Sequence, residues 1–212
     1  MKIILVGPPG SGKGTQAGHI ASMFGVTSVS SGDLFRDNLA KNTELGKLAK
    51  GFMDKGEYVP DEVTIDMVMG WIETPTHSRG FVLDGFPRTL AQAEALESRL
   101  LGSGGIDRVL FFIVDEDVLV DRLSGRLICR GCHMPYHKIF APPLIADKCN
   151  SCGGELYQRD DDKVDVIRNR LEVYMQETEP LVNHFRESGN LREIDGSLGI
   201  NDVKRAIEKA VR

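Results

Sequence analysis

A glycine-rich segment close to the start of the chain has the spacing of a phosphate-binding loop. Gly7, Gly12 and Lys13 fit a pattern in which backbone N–H groups surround an anion and the lysine reaches the outer phosphates. Gly14 stands where Ser or Thr is usual, and the hydroxyl comes one residue later, at Thr15, which leaves a hydroxyl contact to magnesium open. The alternative is a glycine-rich turn with a surface lysine. An apolar run before the segment and a helical pattern after it favour binding of a nucleoside triphosphate.

Arginines at predicted strand ends and loop edges form the second chemical feature. A guanidinium group can bind two phosphate oxygens at once and stabilises the charge on a phosphoryl group during its transfer. Taken singly, each is equally well explained as a solvated surface residue, Arg36 and Arg170 most of all. As a set they indicate phosphoryl transfer, and the candidates are Arg36, Arg88, Arg122, Arg126, Arg159 and Arg170.

Asp84 follows the apolar residues Phe81, Val82 and Leu83, at the edge where α/β sheets place their ligands. A carboxylate there can hold magnesium or its water shell, or it can cap the following turn. No Ser-His-Asp or Cys-His arrangement is evident in the sequence. Positioning and charge stabilisation dominate the catalysis of phosphoryl transfer, so little acid–base machinery is needed.

The four cysteines of the chain form two Cys-x-x-Cys pairs, Cys129 with Cys132 and Cys149 with Cys152. This spacing is typical of a four-cysteine zinc site, in which four protein ligands leave no open position, so the metal is structural. Iron and disulfides are the weaker alternatives. A zinc ribbon that binds nucleic acid is disfavoured because the segment lacks the basic face that would follow a phosphate backbone.

Composition limits the class of protein further. The 212 residues with a net charge of −5 suit one globular body with an insertion, and the charge has the wrong sign for a nucleic-acid-coating protein. No apolar run is long enough to span a membrane, and the apolar start ends at Gly7, too early for a signal peptide. We expect a soluble, cytoplasmic protein with neither nucleic acid nor membrane as partner.

Short apolar runs that alternate with helical patterns predict a doubly wound α/β fold with a parallel sheet. The predicted strands begin at Lys2, Gly80, Val109 and Leu191. Residues 30–73 have a helical pattern, which opens with Ser30 and Asp33 at capping-box spacing and restarts at Pro60. Residues 126–160 have no helical period and predict a second, locally folded insertion. A long helix is expected to start at residues 160–162 and to break at Pro180, and a closing helix to be capped by Asn201.

Several motifs along the whole chain resemble those of the adenylate kinase family, specifically its long bacterial form with a zinc-bearing lid. That family also has a glycine after the loop lysine, so Gly14 agrees with the resemblance. The motifs are Gly7 to Gln16, Ser31-Gly32-Asp33-Leu34-Phe35-Arg36, Asp84-Gly85-Phe86-Pro87-Arg88-Thr89, Arg122-Leu123-Ser124-Gly125-Arg126, and Arg159-Asp160-Asp161 with Arg170.

The resemblance implies reversible transfer of the γ-phosphoryl group of Mg²⁺-bound ATP to AMP, giving two ADP. It assigns to the donor phosphates Gly10, Ser11, Gly12, Lys13, Gly14 and Thr15, and to the donor base Arg126, Pro135, Tyr136 and Leu198. Its acceptor residues are Ser31, Arg36, Glu57, Tyr58, Val59, Gly85, Phe86, Pro87, Arg88, Gln92, Arg159 and Arg170. Its catalytic set is Lys13, Asp84, Arg88, Arg122, Arg126, Arg159 and Arg170.

The resemblance also implies a division of the chain into three parts. Residues 30–59 form an acceptor-binding insertion, residues 125–162 form a lid with structural Zn²⁺, and residues 1–29, 60–124 and 163–212 form the core. Lid closure would exclude water, which otherwise would accept the phosphoryl group. We expect a monomer. The alternatives are a GTP:AMP or UMP/CMP kinase, or a nucleotide-binding switch, although a switch has no need of a second phosphate pocket.

Overall fold

A five-stranded parallel sheet forms the centre of the protein, whose computed structural model describes residues 1–211. The strand order is β2-β3-β1-β4-β8, and β1 pairs in parallel with β3 and β4. The predicted doubly wound α/β fold is therefore confirmed. The five strands are β1 (Lys2–Val6), β2 (Thr27–Ser30), β3 (Phe81–Asp84), β4 (Arg108–Ile113) and β8 (Leu191–Asp195).

Helices cover both faces of this sheet. Those that follow its strands or close the chain are α1 (Lys13–Phe24), α4 (Asp61–Ile72), α5 (Leu90–Leu100), α6 (Glu116–Ser124), α7 (Val164–Val173), α8 (Leu181–Glu187) and α9 (Ile200–Ala210). Side chains of a strand alternate between faces, so Ile3 and Leu5 pack with α1 and α9, whereas Ile4 and Val6 pack with α4, α5 and α8. The two resulting cores hold the carboxyl ends of the strands in fixed register.

Two segments extend from the sheet. The first contains α2 (Ser31–Ala40) and α3 (Glu44–Met53), which pack together around Phe35, Ala49 and Val59. The second is an antiparallel three-stranded sheet of order β6-β5-β7, built from β5 (Arg126–Cys129), β6 (Pro135–His137) and β7 (Leu156–Tyr157). The sequence predicted the helical character of the first segment and the local folding of the second, but not the strands of the second.

Strand β2 was not predicted, and three local predictions were wrong. Ser30 precedes α2 without a side-chain cap, and the capping box is absent because the carboxylate of Asp33 pairs with arginines instead. The last helix has Gly199 rather than Asn201 as its N-cap, and Asn201 lies inside the helix. Residues 160–162 form a separate 3₁₀ turn ahead of α7. The predicted break at Pro180 is confirmed, with a π-helical turn over Tyr174–Thr178 before it.

Among residues 1–211, none of the helices is both long and apolar enough to cross a membrane.

Candidate active site

A cleft of about 890 Å³ opens at the carboxyl ends of the parallel strands. Walls come from the phosphate loop, α2, the three-stranded antiparallel sheet and the turn before α9. Of the nucleotide-site residues predicted from the sequence, only Phe86 lies outside the lining, because its side chain is buried in the core. The others line it: Gly10, Ser11, Gly12, Lys13, Gly14, Thr15, Ser31, Arg36, Glu57, Tyr58, Val59, Asp84, Gly85, Pro87, Arg88, Gln92, Arg122, Arg126, Pro135, Tyr136, Arg159, Arg170 and Leu198.

The phosphate loop joins β1 to α1 through glycines with left-handed backbone. Gly10 and Gly12 have φ of 86° and 93°, values that side chains with a Cβ rarely adopt. The N-terminus of α1 follows at once and has neither a side-chain cap nor an acidic residue in its first turn. Its free N–H groups and the helix dipole therefore favour an anion in the loop.

Lys13 lies across this loop. Its Nζ donates to the carbonyl oxygens of Gly7 at 2.6 Å and Pro8 at 2.7 Å, and to Ser11 Oγ at 3.1 Å. Burial lowers the pKa of Lys13 to about 8, helped by nearby arginines and opposed by Asp84. The ammonium group of Lys13 therefore loses its proton at about pH 8 unless a bound anion compensates for its burial.

Asp84 lies at the end of β3 beside the phosphate loop. Burial raises the pKa of its carboxyl group, while Lys13 and Arg88 act in the opposite direction. A Cβ atom on Gly14 would lie 3.2 Å from Asp84 Oδ2, closer than most such contacts. Glycine after the loop lysine therefore leaves room for the carboxylate, which explains why the usual hydroxyl side chain is missing there.

Two aspartates shortly before α7, Asp161 and Asp162, hold arginines in the cleft. Arg126 donates through Nε and Nη2 to Asp162 at 2.8 and 2.5 Å. Arg170 Nη1 donates to Asp162 Oδ1 at 3.1 Å and lies 3.2 Å from Asp161 Oδ2. Although burial opposes it, Arg170 and the other arginines lower the pKa of Asp161 to about 2. Both aspartates are therefore anchors that fix guanidinium groups from the protein side and leave their other N–H groups for a ligand.

Asp33 joins two more arginines from different segments. Arg36 donates to Asp33 Oδ1 through Nε at 3.1 Å and Nη2 at 2.5 Å, and Arg159 Nη2 donates to the same oxygen at 3.3 Å. Arg159 Nε is buried without a partner. Burial, together with the neighbouring positive charges of Arg36 and Arg126, lowers the pKa of Arg159 to about 10. Positive charge thus exceeds negative charge here, which favours an anionic ligand.

The residues around Arg88 form a polar wall next to α2. Arg88 Nε donates to the Gly85 carbonyl at 2.8 Å, and its guanidinium lies 5.0 Å from the centre of the Tyr58 ring. Ser31 Oγ also donates to the Gly85 carbonyl, at 2.5 Å. Gln92 is buried, and its Oε1 accepts from the Arg88 backbone N–H at 2.8 Å. These groups can orient both a base and a phosphate.

The opposite end of the cleft lies between α6, the lid and the turn before α9. Arg122 donates to the carbonyl oxygens of Gly196 at 2.7 Å and Ser197 at 3.3 Å, which holds that turn against α6. Leu198 in the turn and Pro135 and Tyr136 in the lid sheet line the same space. This surface suits a flat, largely apolar group such as a base.

Some contact residues were missed or misread in the sequence. Residues 160–162 were interpreted as a helix start, whereas Asp161 and Asp162 bind Arg170 and Asp162 also binds Arg126. Thr178, whose Oγ1 donates to the Arg88 carbonyl at 2.8 Å, was not considered, and neither was Asp61, which accepts from Gln92. Such long-range contacts leave no local pattern in the sequence, although a run of three acids directly after Arg159 is a signal that could have been used.

The sulfur atoms of Cys129, Cys132, Cys149 and Cys152 converge, all within 4.8 Å of one another. They are free thiols, so the disulfide alternative does not hold in this structure. The backbone N–H groups of Gly131 and Ser151 donate to Cys129 Sγ at 3.3 Å and Cys149 Sγ at 3.4 Å, which stabilises thiolates. Four convergent sulfur ligands with donors behind them fit a tetrahedral metal ion.

The chain is similar to known proteins over nearly its whole length. The family model described as Adenylate kinase matches residues 5–190. A protein of Archaeoglobus fulgidus named adenylate kinase is 50% identical over 209 residues, covering 98% of this chain and 96% of its own length. The adenylate kinase of Carboxydothermus hydrogenoformans is 47% identical over 213 residues, with 100% of both chains covered, and that of Bacillus pumilus is 50% identical over 204 residues, covering 96% and 94%.

Proposed function

The chain belongs to the adenylate kinase family, and we propose that it performs the reaction of that family in the cleft between the phosphate loop and the arginines. The reaction is reversible phosphoryl transfer between ATP and AMP, which gives two ADP. One observation carries the assignment to this cleft: arginines surround the phosphate loop from α2, the lid and α7. A second set of cations so close to the loop provides for a second phosphate chain.

The donor phosphates bind in the loop from Gly10 to Thr15. Free N–H groups at the start of α1 and the Nζ of Lys13 supply the positive charge. When phosphate oxygens replace the Gly7 and Pro8 carbonyls as partners of Lys13, the ammonium group follows the γ-phosphoryl charge. The donor base lies against Arg126, Pro135, Tyr136 and the backbone at Leu198.

The acceptor binds on the other flank. Its phosphate lies between Arg36, Arg88 and Arg170, with Arg159 shared between the two nucleotides. Its base enters what we name the acceptor-base pocket, formed by Ser31, the backbone of residues 57–59, Gly85 and Gln92. The side chain of Phe86 supports this pocket from the core, and Pro87 lines it next to Arg88.

Catalysis rests on charge stabilisation at the transferring phosphoryl group. Lys13, Arg122, Arg126, Arg159 and Arg170 lie on the donor side and between the two nucleotides, and Arg88 lies on the acceptor side. Because the arginines are anchored to carboxylates or carbonyls before the nucleotides arrive, they need little reorganisation in the transition state. Mg²⁺ bound with the donor would supply charge neutralisation and orientation at its phosphates, and the partly buried carboxylate of Asp84 would fit the shell of such an ion.

Two segments shield the reaction from water. We assign residues 30–59 to acceptor binding and residues 125–162 to a lid, with residues 1–29, 60–124 and 163–212 as the core. Arg159 and Asp33 pair between the lid end and α2, so the two segments approach each other over the cleft. Such closure disfavours hydrolysis of ATP.

The four cysteines hold a structural Zn²⁺ that folds the lid. The buried apolar cluster of this segment is small and comprises Cys129, Cys149 and Leu156, so sulfur ligation has to supply the missing stability. Iron would accept the same ligands, but zinc suits a site without a redox role. A cytoplasmic location agrees with reduced cysteines. A single chain supplies every residue that we propose for the cleft, so a monomer is sufficient for the function.

The function is tested by product analysis with Mg·ATP and each of AMP, GMP, CMP and UMP. The assignment predicts that AMP is by far the best acceptor, that two ADP form for each ATP consumed, and that ADP alone regenerates ATP and AMP. Preferred transfer to UMP or CMP would replace it with a pyrimidine nucleotide kinase. Release of phosphate without nucleoside diphosphate transfer would contradict kinase function altogether.

A further inference from the structure

The carboxylate of Asp61 lies behind the acceptor-base pocket, in contact with Gln92. Asp61 is the first residue of α4, and Gln92 lies in the first turn of α5. Gln92 Nε2 donates to Asp61 Oδ1 at 2.6 Å, and Gln92 Oε1 accepts from the backbone N–H of Arg88 at 2.8 Å. Because Gln92 is only 1% exposed, these protein contacts rather than solvent set the orientation of its amide.

Only one orientation of that amide satisfies both neighbours. A carboxylate accepts hydrogen bonds and cannot donate, whereas a backbone N–H donates and cannot accept. Rotating the Gln92 amide by half a turn would place Oε1 against Asp61 and Nε2 against the N–H of Arg88. Both contacts would then be repulsive, so the pair of neighbours fixes the amide.

Thr89 holds the carboxylate itself in place. Its Oγ1 donates to Asp61 Oδ2 at 2.9 Å and accepts from the Gln92 backbone N–H at 3.3 Å as the N-cap of α5. Each carboxylate oxygen of Asp61 therefore has its own donor. The result is a closed hydrogen-bonded ring that joins the start of α4 to the start of α5.

We propose that Asp61 is a positioning residue that makes the acceptor-base pocket selective for 6-aminopurines over 6-oxopurines. The inference rests on the proposed role of Gln92 in that pocket. An adenine edge offers an acceptor at N1 and a donor at N6, whereas a hypoxanthine or guanine edge offers a donor at N1 and an acceptor at O6. A fixed Gln92 amide has one N–H and one lone pair left to face the base, and these match only one of the two donor–acceptor arrangements. An amide that is free to rotate matches both arrangements.

A purely structural role of Asp61 makes a different prediction. A carboxylate in the first turn of α4 also interacts favourably with the helix dipole. Loss of that effect would lower stability and reduce activity with every acceptor alike. The ratio of kcat/KM for AMP to kcat/KM for IMP therefore separates the two roles.

The test measures this ratio with Mg·ATP in the wild type, Asp61→Ala and Asp61→Asn, and in the same substitutions combined with Gln92→Ala. Removing one buried hydrogen-bond partner is expected to lower the AMP-to-IMP ratio about tenfold in Asp61→Ala. Asp61→Asn keeps an acceptor oxygen and is expected to keep most of the ratio. In the Gln92→Ala background, Asp61→Ala should leave the ratio unchanged, because Asp61 acts through Gln92.

Equal losses of kcat/KM with AMP and IMP in Asp61→Ala would overturn the inference. An equal change of the AMP-to-IMP ratio when Asp61→Ala is made in the Gln92→Ala background would overturn it as well. If Asp61→Ala does not fold, Asp61→Ser keeps an oxygen at the start of α4 but is too short to reach Gln92, and the same criterion applies to it. A wild type that forms no ADP from AMP would instead refute the proposed function. If Gln92→Ala changes the AMP-to-IMP ratio and Asp61→Ala leaves it at the wild-type value, only the role of Asp61 is refuted.

Discussion

The low pKa of Lys13 makes ATP binding depend on pH. A pKa of about 8 in the free enzyme means that the ammonium form is nearly complete at about pH 7 and reduced to about one tenth at about pH 9. Because only the charged form attracts the phosphates, kcat/KM for Mg·ATP at saturating AMP is expected to fall about tenfold over that interval. Bound phosphates compensate for the burial of the ammonium, so kcat should stay level to higher pH.

The same reasoning predicts proton uptake. ATP binding raises the pKa of Lys13, so the enzyme should take up about half a proton per ATP at about pH 8. Calorimetry of a non-hydrolysable Mg·ATP analogue in buffers of different ionisation enthalpy measures this number directly. Lys47→Gln, at an exposed position paired with Glu44, is the matched control and should keep the wild-type profile. A flat profile of kcat/KM across this range, together with no proton uptake, would refute the reasoning.

Three further substitutions test other parts of the site. Arg88→Ala should lower kcat about a hundredfold to a thousandfold with an unchanged melting temperature, whereas Arg99→Ala, at an exposed ion pair, should not; equal effects would contradict the role of Arg88. Asp161→Asn should lower the free energy of unfolding by about 2 kcal/mol near neutral pH. Asp161 has a pKa of about 2 in the folded protein, so its ionised form stabilises the fold above the ordinary carboxyl pKa. This stabilisation is lost as the pH falls toward the pKa of the folded state. Urea titrations should show the difference shrink toward acid pH, and a constant difference would count against it. Cys149→Ala should release the lid metal and lower the melting temperature more than it lowers turnover in the cold, and unchanged metal content would exclude a structural site.

The predictable parts of the fold have strong local signals. Strand β1 is a run of buried apolar residues that ends in a glycine loop, and β3 and β4 share that character. By contrast, β2 consists of Thr27–Ser30, has no fully buried residue and forms the edge of the sheet. A short, half-polar edge strand resembles a loop when the sequence is read alone, because its identity depends on pairing with β3.

The lid sheet was missed for a related reason. Strands of two to four residues cannot show a period, and the antiparallel pairing arises from turns and from convergence of the cysteines. Spacing alone predicted that these cysteines form a cluster, since Cys-x-x-Cys pairs are a local pattern. Their fit to a metal ion therefore came from the sequence, whereas the fold of the segment did not.

The candidate site shows the same division. The phosphate loop was predicted from glycine spacing, and the positions of the arginines from the family resemblance. The carboxylates that orient the site's side chains are distant in the sequence. Asp162 is 36 residues from Arg126, and Asp61 is 31 residues from Gln92. Only the folded chain brings these groups together, so their roles had to wait for the structure.

Two phosphate chains bind side by side in one cleft of this enzyme. Equilibrium titration of AMP into enzyme saturated with a non-hydrolysable Mg·ATP analogue tests this arrangement. AMP is expected to bind without displacing the analogue, and Lys13→Ala is expected to weaken binding of the analogue far more than binding of AMP. Mutually exclusive binding of AMP and the analogue would instead show that the cleft has a single nucleotide pocket.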